Sequence, residues 1–244
     1  MAVIGRGPQR HAEFVEKTTM LRAYLRGDSY RIGDWDSRLE WLSDFPDYQP
    51  VPLEIMGSGP KTLRTAGALA DRVTLAVGAA PERIDWALER VDEGLADSGR
   101  TRADVTLGST IALCIDDDRQ RAAERLRQRV RAAAHMSSFP GNDLDAQPEI
   151  MRRITTELRT GYDYAQHHMR KTAWEEGEHP QELIDAEFAG WFGVGGPAPY
   201  VVERLHELVE KGFRYFIFAA QSLEEREEIM RDVVPQVRKL AVGA

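Results

Sequence analysis

One cysteine, Cys114, stands in a chain of 244 residues. A lone thiol excludes an internal disulfide framework and a cysteine-rich zinc site. Its place in the apolar run Thr110 to Ile115 predicts a buried structural thiol, not a nucleophile. Long hydrophobic runs are missing too: nothing approaches the ~18 apolar residues of a membrane span. The apolar part of the N-terminal MAVIGRGPQR is too short for a signal peptide. A cytoplasmic protein with no membrane partner is therefore expected. Positive charge is in deficit, with 32 Lys and Arg against 40 Asp and Glu and a net charge of -8. That leaves no broad basic surface, so no nucleic-acid partner is expected.

Strong catalytic signatures are equally scarce. H-E-x-x-H, the P-loop, G-x-S-x-G and G-x-G-x-x-G do not occur. His167 and His168 are adjacent, and adjacent residues on a helix diverge by about 100°, which disfavours a shared metal ion. Asp116, Asp117 and Asp118 lie between a strand-like run and a helix-like one, where capping and dipole compensation account for them. No metal site is expected.

What is present is a βαβ unit from Val51 to Gly78. The apolar run Val51 to Met56 enters the turn Gly57-Ser58-Gly59-Pro60-Lys61, a helix follows over Thr62 to Ala70, and a second apolar run spans Val73 to Val77. A glycine turn between a strand end and a helix N-terminus is where such units bind anions.

Other units flank it. Ala2 to Ile4 reads as the end of a buried strand, running into Gly5-Arg6-Gly7, and a helix follows over Arg10 to Arg26 with Gly27 as its C-cap. Asp28 to Pro50, rich in Asp, Pro and aromatics, reads as an ordered loop. Two roles stay open for it: covering or carrying function, or pinning to the body through Tyr30, Trp35, Trp41, Phe45 and Tyr48. Pro81 to Ser98 is an amphipathic helix with Ile84, Leu88, Val91 and Leu95 on one face. Val105 to Ile115 is a strand. Residues 119–191 form a helical excursion, opening with the arginine-rich helix Arg119 to His135. A helix over Pro199 to Lys211 leads into Phe213 to Ala219, read as a strand apolar on both faces, which places it in a covered parallel sheet. Leu223 to Leu240 is a final helix with a kink at Pro235.

Strands followed by helices make the class α/β, with right-handed parallel crossovers. The length matches the roughly 250 residues of a (β/α)8 barrel, yet five strands are found where eight are needed. The expectation is a single barrel domain over 1–244, N-terminally truncated, with a helical insertion before the last strand.

A family resemblance rests on Gly5-Arg6-Gly7, Leu25-Arg26-Gly27, Ser37-Arg38-Leu39, Gly57-Ser58-Gly59-Pro60-Lys61, Ala70-Asp71-Arg72-Val73, Val77-Gly78-Ala79-Ala80-Pro81-Glu82 and Phe192-Gly193-Val194-Gly195-Gly196-Pro197. Together these resemble the luciferase-like monooxygenase superfamily, in its coenzyme F420-dependent oxidoreductase branch near the methylenetetrahydromethanopterin reductase type. The resemblance implies a TIM barrel that binds a deazaflavin at the C-terminal strand ends and transfers hydride at its ring to or from a small organic substrate. It implies a cofactor phosphate at Gly57, Ser58, Gly59, Pro60, Lys61 and Thr62, with Gly78 nearby and Gly5, Arg6 and Gly7 toward the cofactor's polar tail. Pro8 stands where some relatives place a glutamate proton donor, and no catalytic residue is assigned. FMN is the alternative cofactor. A homodimer or higher homo-oligomer is expected, and the alternatives of another class are a noncatalytic dimerising remnant and an unrelated phosphate-ligand barrel enzyme.

Overall fold

The computed structural model describes residues 9–137, 186–218 and 222–242, with Glu149, Arg152 and Thr156 between them. The expected strand at Ala2 to Ile4, the turn Gly5-Arg6-Gly7, Pro8 and the His167-His168 pair lie outside the described residues.

Helix α1 (His11–Arg26) ends at Gly27, whose positive φ of 77° and amide bond to Tyr24 make the expected glycine C-cap. The stretch read as a loop holds the hairpin β1 (Tyr30–Ile32) and β2 (Trp35–Ser37) and a 3-10 turn, Glu40–Asp44. Of its aromatics, Tyr48 does pin, donating its hydroxyl to the Leu25 carbonyl at 2.7 Å. Trp35, Trp41 and Phe45 do not: Trp35 is 80% exposed, and the other two are more than half exposed.

The βαβ unit forms as β3 (Glu54–Gly57), α2 (Pro60–Leu69) and β4 (Arg72–Leu75), with β3 and β4 parallel. Asp71 ties the unit together, its carboxylate accepting from the Leu53 amide and its own amide donating to the Leu53 carbonyl. Helix α3 (Pro81–Asp97) starts on proline and buries the stripe Ile84, Leu88, Val91 and Leu95, as its spacing predicts. The long strand expected over Val105 to Ile115 is in fact two, β5 (Thr106–Ile111) and β6 (Leu113–Ile115), interrupted at Ala112. Helix α4 (Arg119–Ser137) follows, then α5 (Ala186–Phe192), β7 (Val194–Gly196), α6 (Ala198–Glu210) and β8 (Phe213–Phe218). Strand β7 leaves no mark in the sequence, because Val194-Gly195-Gly196 carries one apolar side chain and two glycines, too little for any periodicity.

The main sheet has the order β3-β4-β5-β8, all parallel, and β6 pairs parallel with β7 as a separate ladder. Splitting β5 from β6 lets one stretch of chain serve two sheets, β5 pairing with β4 and β8 and β6 pairing with β7. On one face, Val73, Leu75, Leu107 and Ile111 pack with Leu63, Ile84 and Leu205 of the helices, and all are buried. A smaller cluster joins Cys114 to Ala122, Leu126, Phe188 and Phe192. Cys114 is buried as expected, and that burial pushes its thiol pKa up, which suits an inert thiol.

Strand β8 departs from expectation. It contains Arg214 and Tyr215, only Phe213 is buried, and Ile217 is 42% exposed. It is an edge of the sheet among the described residues, so no second neighbour covers its outer flank. Its Tyr215 reaches across the sheet, with its hydroxyl 2.6 Å from Thr74 Oγ1 and 3.3 Å from Glu54 Oε1. The Arg72 guanidinium lies 4.3 Å over the Tyr215 ring. Gly108 is what permits this crossing, because a Cβ there would lie 2.1 Å from the ring. Gly108→Ala is therefore expected to cost about 1–3 kcal/mol by overpacking. Urea denaturation checks it, and a loss below roughly 0.5 kcal/mol, the range of ordinary surface changes, contradicts it.

The C-terminal helix divides into α7 (Leu223–Glu228), a π-helical turn (Ile229–Val233) and α8 (Val234–Val242). The expectation at Pro235 is a kink; what the helix carries is a π-helical turn just before the proline, in which the Val234 amide donates to the Ile229 carbonyl. Proline has no amide and crowds the carbonyl four residues back, and a widened turn relieves both.

Candidate functional site

Parallel pairing brings the C-terminal ends of the strands to one rim, where open α/β sheets bind ligands. Gly57 pairs with Leu75, so the turn after β3 and the turn after β4 are neighbours. Ile115 pairs with Gly196, which places the chain after β6 beside the turn after β7. Two of the expected site segments, Gly57 to Thr62 and Gly78, thus follow neighbouring parallel strands. Gly5, Arg6 and Gly7 lie outside the described residues.

The first turn is tighter than its sequence reads. Helix α2 begins at Pro60, two residues before the expected Thr62, with Gly59 as its N-cap and proline in the first turn. Proline fits there because the missing amide belongs to the set that has no intrahelical partner. Lys61 and Thr62 are consequently helical, with Lys61 exposed to solvent and Thr62 folded back so that its methyl crowds Gly57. No side chain caps this N-terminus. The remaining amides of the first turn and the positive helix end lie in a turn that holds no carboxylate and carries Lys61, a donor set that fits a phosphate group.

The second turn follows β4. Ala76 donates its amide to the Gly57 carbonyl at 2.9 Å, locking the two turns together. Gly78 has φ of 83°, and a Cβ there would lie 2.6 Å from the Phe192 carbonyl, so position 78 needs glycine for both conformation and space. Ala79 donates to that same Phe192 carbonyl at 2.8 Å.

Two arginines that sequence reading did not single out complete the arrangement. Arg83 on α3 is fully buried, its Nη2 is 3.5 Å from the Ser58 carbonyl, and its guanidinium stacks 4.8 Å over the Trp86 ring. Burial pushes its pKa down to about 10, so it remains cationic at neutral pH. Arg204 on α6 donates from Nη2 to the Ala79 carbonyl at 3.0 Å and pairs with Glu207. A signal for Arg83 exists in hindsight: it sits four residues before Ala87 on the apolar stripe of α3, where a long charged side chain is out of place.

The acidic run behaves as expected of a cap. Asp118 accepts the amides of Gln120 and Arg121 at the start of α4, and Asp116 accepts the Arg121 and Arg125 guanidinium groups. Those contacts hold the Asp116 carboxyl below the usual range, chiefly through Arg121. Among the described residues no group of three His, Cys, Asp or Glu side chains is placed to hold a metal ion. Among them, too, no helix is long and apolar enough to cross a membrane.

A family model described as luciferase-like monooxygenase matches residues 5–215. An F420-dependent glucose-6-phosphate dehydrogenase of Beutenbergia cavernae is 26% identical over 240 residues, covering 95% of this chain and 62% of the relative. A 5,10-methylenetetrahydromethanopterin reductase of Methanopyrus kandleri is 23% identical over 195 residues, covering 78% of this chain and 51% of the relative. A solved F420-dependent secondary alcohol dehydrogenase, in complex with an F420-acetone adduct, is similar at a TM-score of 0.64 and 18% identity, covering 97% of this chain and 66% of that one. The chain thus spans less than two thirds of the length of these curated relatives. The fold they share is the luciferase-like TIM barrel, of which the parallel strands and crossover helices described above are part. Because the family match starts at Gly5 and ends inside β8, taking in both turns and every strand between them, this chain belongs to the luciferase-like monooxygenase family.

Proposed function

We propose that this chain holds the phosphate side of coenzyme F420 in an oxidoreductase that transfers hydride to or from a small organic substrate. The observation that carries the reading is the uncapped start of α2 at Gly59, set at the C-terminal end of β3 and tied to the next turn through Ala76. Gly57, Ser58, Gly59, Pro60, Lys61 and Thr62 form the phosphate cradle in this reading, with Gly78 beside it. Gly5, Arg6 and Gly7 are assigned to the cofactor's polar tail on the resemblance alone. The similarity to proteins named for F420 supports deazaflavin over FMN. When bound, the deazaflavin supplies the hydride chemistry; the cradle's part is to orient the cofactor through its phosphate. A single domain over 1–244, with residues 119–191 as an insertion, is part of the same proposal.

Titration of the chain with F420 and with FMN, followed by absorbance and fluorescence, tests it. Saturable F420 binding at lower concentration than FMN is expected. Absence of binding by either cofactor overturns the reading.

A homodimer is the assembly we favour, on the observation that β8 is an edge strand among the described residues, beside a cavity of 410 Å³ lined by Leu205, Phe216, Phe218 and Val237 together with Arg214 and Arg238. That same edge favours the second reading, a noncatalytic dimerising module. Sedimentation of the purified chain separates them: a monomer with cofactor turnover excludes the module.

A further inference from the structure

Arg83 has no place in the family resemblance, and its position behind the phosphate cradle gives it one. A guanidinium removed from water loses strong hydration, so full burial is retained only where its donors and its planar face find partners. Here one face lies on Trp86 and Nη2 is directed at the carbonyl of Ser58, in the middle of the cradle. Ser58 and Gly59 share a trans peptide, in which the carbonyl and the following amide point in opposite directions. A carbonyl drawn toward α3 therefore aims the Gly59 amide away from α3.

We propose that Arg83 is a positioning residue: it anchors the Ser58 carbonyl from behind and so fixes the Gly59 amide as a donor to the cofactor phosphate. The inference rests on the phosphate-cradle reading for its ligand, but its geometry belongs to the chain alone. The gap left by an absent Arg83 would let the Ser58–Gly59 peptide rotate, and a rotated peptide presents an oxygen where the phosphate needs a hydrogen. A merely structural Arg83 would instead stabilise the chain without distinguishing phosphorylated from unphosphorylated ligands.

The test uses the full chain with Arg83→Met and Arg83→Lys. Affinity is measured for F420 and for the same deazaflavin without its phosphate-bearing tail, alongside thermal stability. In Arg83→Met the preference for the phosphorylated form is expected to fall about tenfold, the effect of one well-aimed charge-assisted donor. Affinity for the unphosphorylated chromophore stays within about twofold, a change too small to reflect a lost hydrogen bond. Arg83→Lys, which keeps the charge and is the variant to use if Arg83→Met does not fold, retains part of the preference. An unchanged preference, with only the melting temperature lowered, overturns the proposal.

Should the wild-type chain take no cofactor, the functional reading fails while the positioning claim is still decided by inorganic phosphate titrated against the Gly59 amide resonance. A shift in wild type that is lost in Arg83→Met, or in Arg83→Lys where the methionine variant does not fold, supports it. No shift in wild type, or equal shifts in wild type and variant, overturns it.

Discussion

Gly94→Ala is expected to destabilise the chain by about 3 kcal/mol or more, at or beyond the upper end of overpacking penalties. A Cβ at position 94 would lie 1.9 Å from the Arg64 carbonyl oxygen and 3.0 Å from the Ala68 nitrogen. Both are backbone atoms of α2 and cannot rotate aside. The contact is reciprocal, since a Cβ at Gly67 would lie 2.1 Å from the Val91 carbonyl oxygen on α3. One glycine on each helix, facing the other helix's backbone, lets the two approach closely, which offsets the roughly 0.5–1 kcal/mol each costs inside a helix. An added methyl must push the helices apart along the face that buries Leu63, Ala66, Ile84 and Val91. Because Gly59 and Ala80 are the N-caps of α2 and α3, the same displacement moves the turns after β3 and β4. Cofactor affinity should therefore fall with stability. Gly99→Ala is the control: nothing lies within 4 Å of a Cβ there, and only its φ of 67° is strained. It should cost about 1 kcal/mol, the penalty of a left-handed non-glycine residue. Urea denaturation of the two variants side by side decides the matter, and equal losses would show that helix approach is not the cause.

The second large effect is expected at Glu225. Its carboxylate is 2.5 Å from Arg129 Nη1, with the two side chains 6% and 7% exposed. Arg129 also donates to the Leu113 carbonyl, so the pair ties α4 and α7 to strand β6. Taking a carboxylate away from a guanidinium in such a place leaves a buried charge without its counterion. Glu225→Ala should cost about 3–5 kcal/mol, the penalty for breaking a buried pair at one end. Replacing both partners with apolar residues, Arg129→Met with Glu225→Leu, should recover most of that loss, since the price of the pair is mainly desolvation. Equilibrium unfolding of the single and double variants checks this. A double variant no more stable than Glu225→Ala would mean that the pair is not the source of the effect.

Much of the architecture was legible locally. The amphipathic stripes of α3 and α6 and the glycine after α1 place those helices without any long-range knowledge, because a helix's own period and punctuation are written in neighbouring residues. The turn Gly57 to Lys61 was legible for the same reason: it is a short motif between a strand and a helix. Its boundary was off by two residues because Pro60 can begin a helix as readily as precede one. Reading β8 as apolar throughout passed over Arg214 and Tyr215, and the structure uses Tyr215 to cross Gly108 and reach Thr74.

By itself the sequence determined the α/β class, the βαβ unit with its glycine turn, the amphipathic helices, and the exclusion of disulfide and cysteine-rich zinc chemistry. Only the tertiary structure decided that one strand divides at Ala112 to serve two sheets, that Gly67 meets α3 and Gly94 meets α2, that Arg129 finds Glu225, and that Arg83 lies behind Ser58. Each of those depends on atoms brought together from distant parts of the chain. A residue's neighbours in sequence report helical or strand period, but carry no record of which carbonyl or side chain will face it across a packed interface.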